Sequence, residues 1–211
     1  MPLQTMFSDE DLRYGVWHNK EGDSFFQNNL KLYEQEHQEI SDFRSKKKSE
    51  WLCSRFLLDL LADHRLSGAC LKDTFGKPFI DGSNDHISIS HTFDFTAAIV
   101  SHKVCGIDLQ VIVPKILYLG PRFISKSELS IIPEGNNLLY YHVIWGAKEA
   151  MYKCYGKKEL DFKSHLQTDK FYFQQDGFYF NGTIIKGDFK RKYTLYCKQI
   201  DQMILVYALE E

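Results

Sequence analysis

Residues 86–111 read HISISHTFDFTAAIVSHKVCGIDLQV, and this stretch decides the fold. His86 to Ser90 alternates polar and apolar side chains, as a half-buried strand does. Phe95 to Val100 is a continuous apolar strand. Ser101-His102-Lys103 turns the chain into a further strand, Val104 to Val111. Ser90, His91 and Thr92 are expected to leave the first strand and enter a turn.

Working outward, Leu30 to His64 reads as helical. Ser41 is placed to cap a helix whose apolar side chains Phe43, Trp51, Leu52, Phe56, Leu57, Leu60 and Leu61 recur at three- and four-residue spacing. Ahead of it, Tyr14, Val16 and Trp17 suggest a short strand that ends near Gly22. Gly76-Lys77-Pro78 reads as a loop, because Gly and Pro punctuate structure there. On the other side, Pro114 to Pro133 is irregular or weakly helical, with a capping box from Ser125 to Glu128. Leu138 to Tyr155 reads as a long helix stopped by Gly156. Lys170 to Leu209 is aromatic and β-branched, broken at Asp176-Gly177, Asn181-Gly182 and Gly187-Asp188, which predicts a run of antiparallel hairpins. The order helix, strands, helix, strands predicts an α+β fold. It also predicts two similar halves, residues 1–105 and 106–211, each a helix packed on an antiparallel sheet.

Composition narrows the function. The 211 residues are 44% hydrophobic and 26% charged, ordinary values for a folded chain, and long enough to bury a core. The aromatic share is high at 15%, and its strand-like clustering points to sheet packing. A net charge of -2 argues against nucleic-acid binding. Lys46-Lys47-Lys48 and Lys190-Arg191-Lys192 read as solvated faces. The cysteines Cys53, Cys70, Cys105, Cys154 and Cys197 are odd in number and form no C-x-x-C pair, so a cytoplasmic protein without disulfides or zinc is expected. Met1 to Glu10 does not have the character of a signal peptide. No apolar run approaches a membrane span, so no membrane partner is expected.

Four short pieces carry the chemistry. On the strand Gly106-Ile107-Asp108-Leu109-Gln110, Asp108 and Gln110 point to one face, since residues two apart share a side. An acid beside a glycine can approach a metal closely. On the helix Ile144 to Lys153, Trp145, Lys148, Glu149, Tyr152 and Lys153 fall near one face, and charges beside aromatics that seek burial suggest a site. Ser90, His91 and Thr92 combine hydroxyls, amides and an imidazole able to hold phosphate oxygens. Lys77 is presented on the Gly-Lys-Pro loop, another possible phosphate contact. Taken singly, each has an ordinary structural explanation: a solvent-facing acid, a surface ion pair, a hydrogen-bonding histidine, a loop lysine.

Their order does not. G-K-P, S-I-S-H, G-I-D-L-Q and W-G-A-K-E-A-M-Y-K resemble the 4'-phosphopantetheinyl transferase superfamily of the Sfp type, in which G-I/V-D is followed by F/W-x-x-K-E-A/S-x-x-K. The likeness runs from about Arg55 to Lys153. It implies the family's pseudo-two-fold fold in a single chain, with coenzyme A elements in the first half and metal and catalytic elements in the second. It implies transfer of 4'-phosphopantetheine from coenzyme A to a serine of an acyl, peptidyl or aryl carrier protein, with release of 3',5'-ADP. By the same likeness, Asp108 and Glu149 would hold Mg2+, and Arg55, Lys77, Pro78, Ser90, His91 and Lys148 would contact coenzyme A. Glu149, Lys153 and Asp108 would carry catalysis; Glu149 or a water on the metal would take the serine proton, and the sequence leaves both open. The family often has Asp-x-Glu where this chain has Asp108-Leu109-Gln110, so Gln110 would be at most a weak, neutral metal ligand. A monomer is expected from two halves in one chain. Two rival readings are a catalytically silent coenzyme A- or carrier-binding module, suggested by Gln110, and a metal-dependent phosphohydrolase, for which the eight histidines are too scattered.

Overall fold

The structure is a computed structural model that describes residues 2–64 and 66–211. The chain divides into two compact units, Met1–Val104 and Cys105–Glu211. Both are helix-on-antiparallel-sheet units, and the class is α+β as the element order predicts.

The first unit opens with strands β1 (Leu3–Ser8) and β2 (Leu12–His18), then helices α1 (Asp23–Asn29), α2 (Glu34–Ser41) and α3 (Ser45–Leu61). Four strands follow: β3 (Cys70–Lys72), β4 (Pro78–Ile80), β5 (His86–Thr92) and β6 (Phe95–Ser101). The main sheet has the order β1-β2-β6-β5, and β3 and β4 form a separate pair. The apolar stripe of α3 is buried as its spacing requires: Leu52, Phe56, Leu57 and Leu61 pack with Trp17, Ile87, Ala98 and Val100.

Three local expectations are corrected here. Ser41 does not cap the long helix: it ends α2, and Arg44 stands at the N-cap of α3. Burial explains the break. In one straight helix Glu36 and Arg55 would be about 28 Å apart, whereas here Arg55 Nε donates to Glu36 Oε1 at 2.7 Å. Glu36 also accepts from the Cys70 backbone N–H, so α2 must double back to α3. Second, Ser90, His91 and Thr92 remain in β5, and the turn follows at Phe93. Third, β1 and α1 were not legible beforehand; α1 buries Phe26 in the core.

The second unit begins with strand β7 (Cys105–Val111), short helices α4 (Ile116–Phe123) and α5 (Lys126–Leu129), and the long helix α6 (Asn137–Tyr155). Strands β8 (Leu166–Thr168), β9 (Phe178–Lys186), β10 (Phe189–Ile200) and β11 (Met203–Glu210) complete a sheet ordered β7-β11-β10-β9-β8, antiparallel throughout. The capping box at Ser125 and Glu128 is present. Asn181-Gly182 is not a turn but lies inside β9. A Cβ at Gly182 would sit 2.7 Å from Met151 Sδ, so the glycine makes room for α6.

Two further glycines set the distance between α6 and the edge strand β7. A Cβ at Gly106 would lie 2.0 Å from the Ala150 carbonyl oxygen. A Cβ at Gly146 would lie 2.8 Å from Gln110 Nε2. Helix and strand therefore meet almost backbone to backbone, and the polar residues either side of these glycines face one another.

Candidate active site

In the second unit, β7 carries Gly106, Asp108 and Gln110 on the face that α6 covers, and α6 brings His142, Glu149 and Lys153 to the same place. Asp108 is largely covered, at 7% exposed, rather than facing open solvent. Lys153 Nζ donates to the Ile107 carbonyl at 2.7 Å and to Asp108 Oδ1 at 3.1 Å. Glu149 joins this pair electrostatically. Burial pushes its carboxyl up to about 7, the Asp108 charge adds to the rise, and Lys153 opposes it. Two acids of distant sequence position thus share one half-covered site with one lysine.

Gln110 is built into the site by its amide. Its Nε2 donates to the His142 carbonyl at 3.0 Å and to Asp108 Oδ2 at 3.3 Å. Its Oε1, the only atom able to bind a cation, accepts from His142 Nδ1 at 2.6 Å. The amide thus presents a donor to Asp108 and an acceptor to His142.

The reading of Lys148 is corrected. It is fully buried, and its three donors go to the Phe123 carbonyl, Glu128 Oε2 and the Phe162 carbonyl at 2.7, 2.7 and 2.8 Å. Burial holds its pKa below the usual ammonium value, with Glu128 opposing. No donor is left for a cofactor. The predicted single face of α6 is really two stripes. Trp145, Lys148 and Tyr152 turn toward Phe123, Phe162 and Glu128. Glu149 and Lys153 turn toward Asp108.

The first unit holds its own candidate site. A cavity of about 310 Å³ is lined by Phe43, Lys47, Trp51, Arg55, Lys72, Pro78 and His91, among others. Of the predicted coenzyme A contacts, Arg55, Pro78 and His91 meet here. His91 Nε2 is 2.7 Å from Ser54 Oγ. Arg55 keeps a buried Nη1 that makes no hydrogen bond, beside its ion pairs to Glu36 and Asp59. Lys47 is exposed as expected of a solvated face, and it also stands 3.8 Å over the Phe43 ring at the pocket's edge. Ser90 alternates to the opposite face of β5 from His91 and is buried. Lys77 lines a neighbouring cavity of about 360 Å³ with Asp73, Asp85 and His86.

Several site residues escaped the sequence reading. Phe43, Lys47 and Trp51 precede the expected Arg55 at every fourth position, a row visible in the sequence, but these three were assigned there to core and solvent. Lys72 and His142 carried no local signal, and Glu128 was legible only as a helix cap. Among the described residues, no three His, Cys, Asp or Glu side chains cluster as a metal site. In the second unit, the Asp108 and Glu149 carboxylates interact with each other and with Lys153.

No family model matches the chain. Two curated proteins of Bacillus subtilis do align with it, one described as "4'-phosphopantetheinyl transferase" and the other as "4'-phosphopantetheinyl transferase ffp". Each is 33% identical over 88 residues. Over that segment the chain is similar in sequence to these two transferases. The aligned segment spans 39% of this chain and 39% of either transferase.

Proposed function

We propose that the chain transfers 4'-phosphopantetheine from coenzyme A to a serine of an apo carrier protein in a Mg2+-dependent reaction that releases 3',5'-ADP. The observation that carries this reading is the meeting of Asp108, from G-I-D, with Glu149 and Lys153, from K-E-A-M-Y-K, in a chain similar in sequence to such transferases over 88 residues. Two carboxylates fit Mg2+, which takes oxygen ligands and commonly shares them between one or two acids, phosphates and waters. Asp108 and Glu149 would hold it, and when bound it would neutralise charge on the diphosphate.

The chain's own groups supply the rest. Phosphoryl transfer depends on positioning and on charge placed where it develops. The serine Oγ–P bond forms at the β-phosphorus as the bond from that phosphorus to the bridging oxygen breaks, and the leaving oxygen departs with ADP. Lys153 sets a fixed positive charge beside Asp108. Glu149, in the same seam as Asp108 and Lys153, would accept the serine proton. In the first unit, the aromatic and cationic cavity suits the nucleotide end of coenzyme A, with Trp51 and Phe43 offering ring faces and Lys47, Arg55, Lys72 and His91 offering donors to phosphate. Exposed Leu117, Tyr118 and Leu129 on α4 and α5 lie beside exposed Lys115, Arg122 and Lys126. That surface fits a carrier protein with an acidic helix.

The test is incubation with coenzyme A, magnesium and a panel of apo carrier proteins, read by intact-mass spectrometry. A phosphopantetheine adduct on one carrier is expected, with the rate lowered about 100- to 1000-fold by Asp108→Ala, as for loss of a charge-stabilising group. Full-rate transfer by that variant would sink the reading. Calorimetric binding of coenzyme A with no adduct on any carrier would instead favour the silent module.

A further inference from the structure

Resting on that reading, we infer that His142 is a positioning residue, acting through Gln110 to hold the Asp108 carboxylate in place for the cation. Asp108 lies in the half-covered seam between β7 and α6, and both of its oxygens have donors. Lys153 Nζ reaches Oδ1 at 3.1 Å, and Gln110 Nε2 reaches Oδ2 at 3.3 Å. A carboxylate held from both sides cannot rotate freely, so the lone pairs it presents are fixed. The Gln110 arm is itself held. Its Oε1 takes the His142 Nδ1 proton at 2.6 Å, and its second Nε2 proton goes to the His142 carbonyl at 3.0 Å.

The imidazole in turn has a defined orientation. His142 Nε2 lies 3.0 Å from the Val113 backbone N–H and 3.2 Å from the Val113 carbonyl; the N–H can only donate, and this shorter contact makes Nε2 the acceptor and Nδ1 the protonated nitrogen. Every hydrogen bond from Val113 through His142 and Gln110 to Asp108 therefore runs in the same direction, an arrangement in which each bond polarises the next. His142 is 1% exposed, so water does not compete for these contacts.

The surroundings also explain why residue 110 is an amide. Two acceptors, the His142 carbonyl and Asp108 Oδ2, converge on the nitrogen end of the side chain. A carboxylate there would face both with a negative oxygen. This chain has built position 110 as a neutral arm that aims the first acid, in place of a further acid that binds. His142 would then influence cation affinity without touching the cation.

The experiment measures Mn2+ affinity by electron paramagnetic resonance on the full chain in the presence of coenzyme A, for the parent, His142→Ala, His142→Asn, Gln110→Met and the His142→Ala/Gln110→Met double variant. Removal of either link is expected to weaken Mn2+ binding about 10-fold, the low end for partners of metal ligands. The double variant should be no weaker than the single ones, because both break one chain. His142→Asn, whose amide can replace the Nδ1 donor, should recover most of the loss. Should His142→Ala fail to fold, Gln110→Met at the half-buried neighbour carries the test. Parent-like Mn2+ affinity in both single variants, or losses that multiply in the double variant, would overturn the positioning role while leaving the transferase reading intact. A parent chain that takes up no Mn2+ with coenzyme A would overturn both.

Discussion

Two lysines of α6 lie little more than a turn apart and meet opposite fates. Lys148 is sealed in: its ammonium is fully buried, with Glu128 and two backbone carbonyls as acceptors. Glu128 is equally committed, since its other oxygen accepts from the Thr168 N–H and hydroxyl and it also caps α5. Lys153, by contrast, pairs with Asp108 at a seam where its side chain is 27% exposed, next to a second acid whose protonation is poised near 7. One ion pair is closed on every side and ties α5, α6 and β8 together. The other is only partly covered. The same residue type is sealed in one place and partly exposed in the other, and the neighbours that the fold supplies decide which.

Three measurements sharpen or break this contrast. The largest effect is expected for Glu128→Ala, which strands a buried ammonium; removal of one partner from such a pair costs about 3–5 kcal/mol. Chemical denaturation should show the loss, and a change under about 1 kcal/mol would mean that the sealed pair does not organise the unit. Lys153→Ala comes next. It should cost less than about 1 kcal/mol of stability, as for a partly exposed pair, yet slow phosphopantetheine transfer about 10- to 100-fold. A stability loss matching that of Glu128→Ala would erase the distinction.

The smallest effect concerns Glu149. Its carboxyl sits at about 7 in the folded chain against an ordinary value of 4.5. The native state then binds the proton more tightly than the unfolded state does. Stability contributed this way is present at low pH and declines as pH rises from 4.5 toward 7. Glu149→Gln should therefore melt like the parent below that window and be more stable above it, by on the order of 1 kcal/mol, without added magnesium. Parallel melting curves across the window would show that Glu149 is not strained by burial and by Asp108.

Much of the frame was legible beforehand because it depends on short-range pattern. The alternation of His86 to Ser90, the apolar run from Phe95 and the capping box at Ser125 each report the local backbone directly, and α6 ends at Gly156 as expected. The errors arose where a long-range contact overrode a local pattern. Ser41 looked like a cap, but Glu36 needed to return to Arg55. Asn181-Gly182 looked like a turn, but the glycine is a gap beneath Met151. Lys148, Glu149 and Lys153 looked like one face because helical spacing cannot say what stands opposite.

The sequence by itself determined the α+β order, the two units' helix-and-strand content, and a pair of acids carried on a glycine-bearing strand and a long helix. Only the tertiary structure decided which of those polar side chains are spent on one another. Spacing along a chain specifies where a side chain points. How much charge remains for a ligand depends on how many donors and acceptors the folded neighbours consume, and for Gln110, His142 and Lys148 those neighbours come from distant parts of the chain.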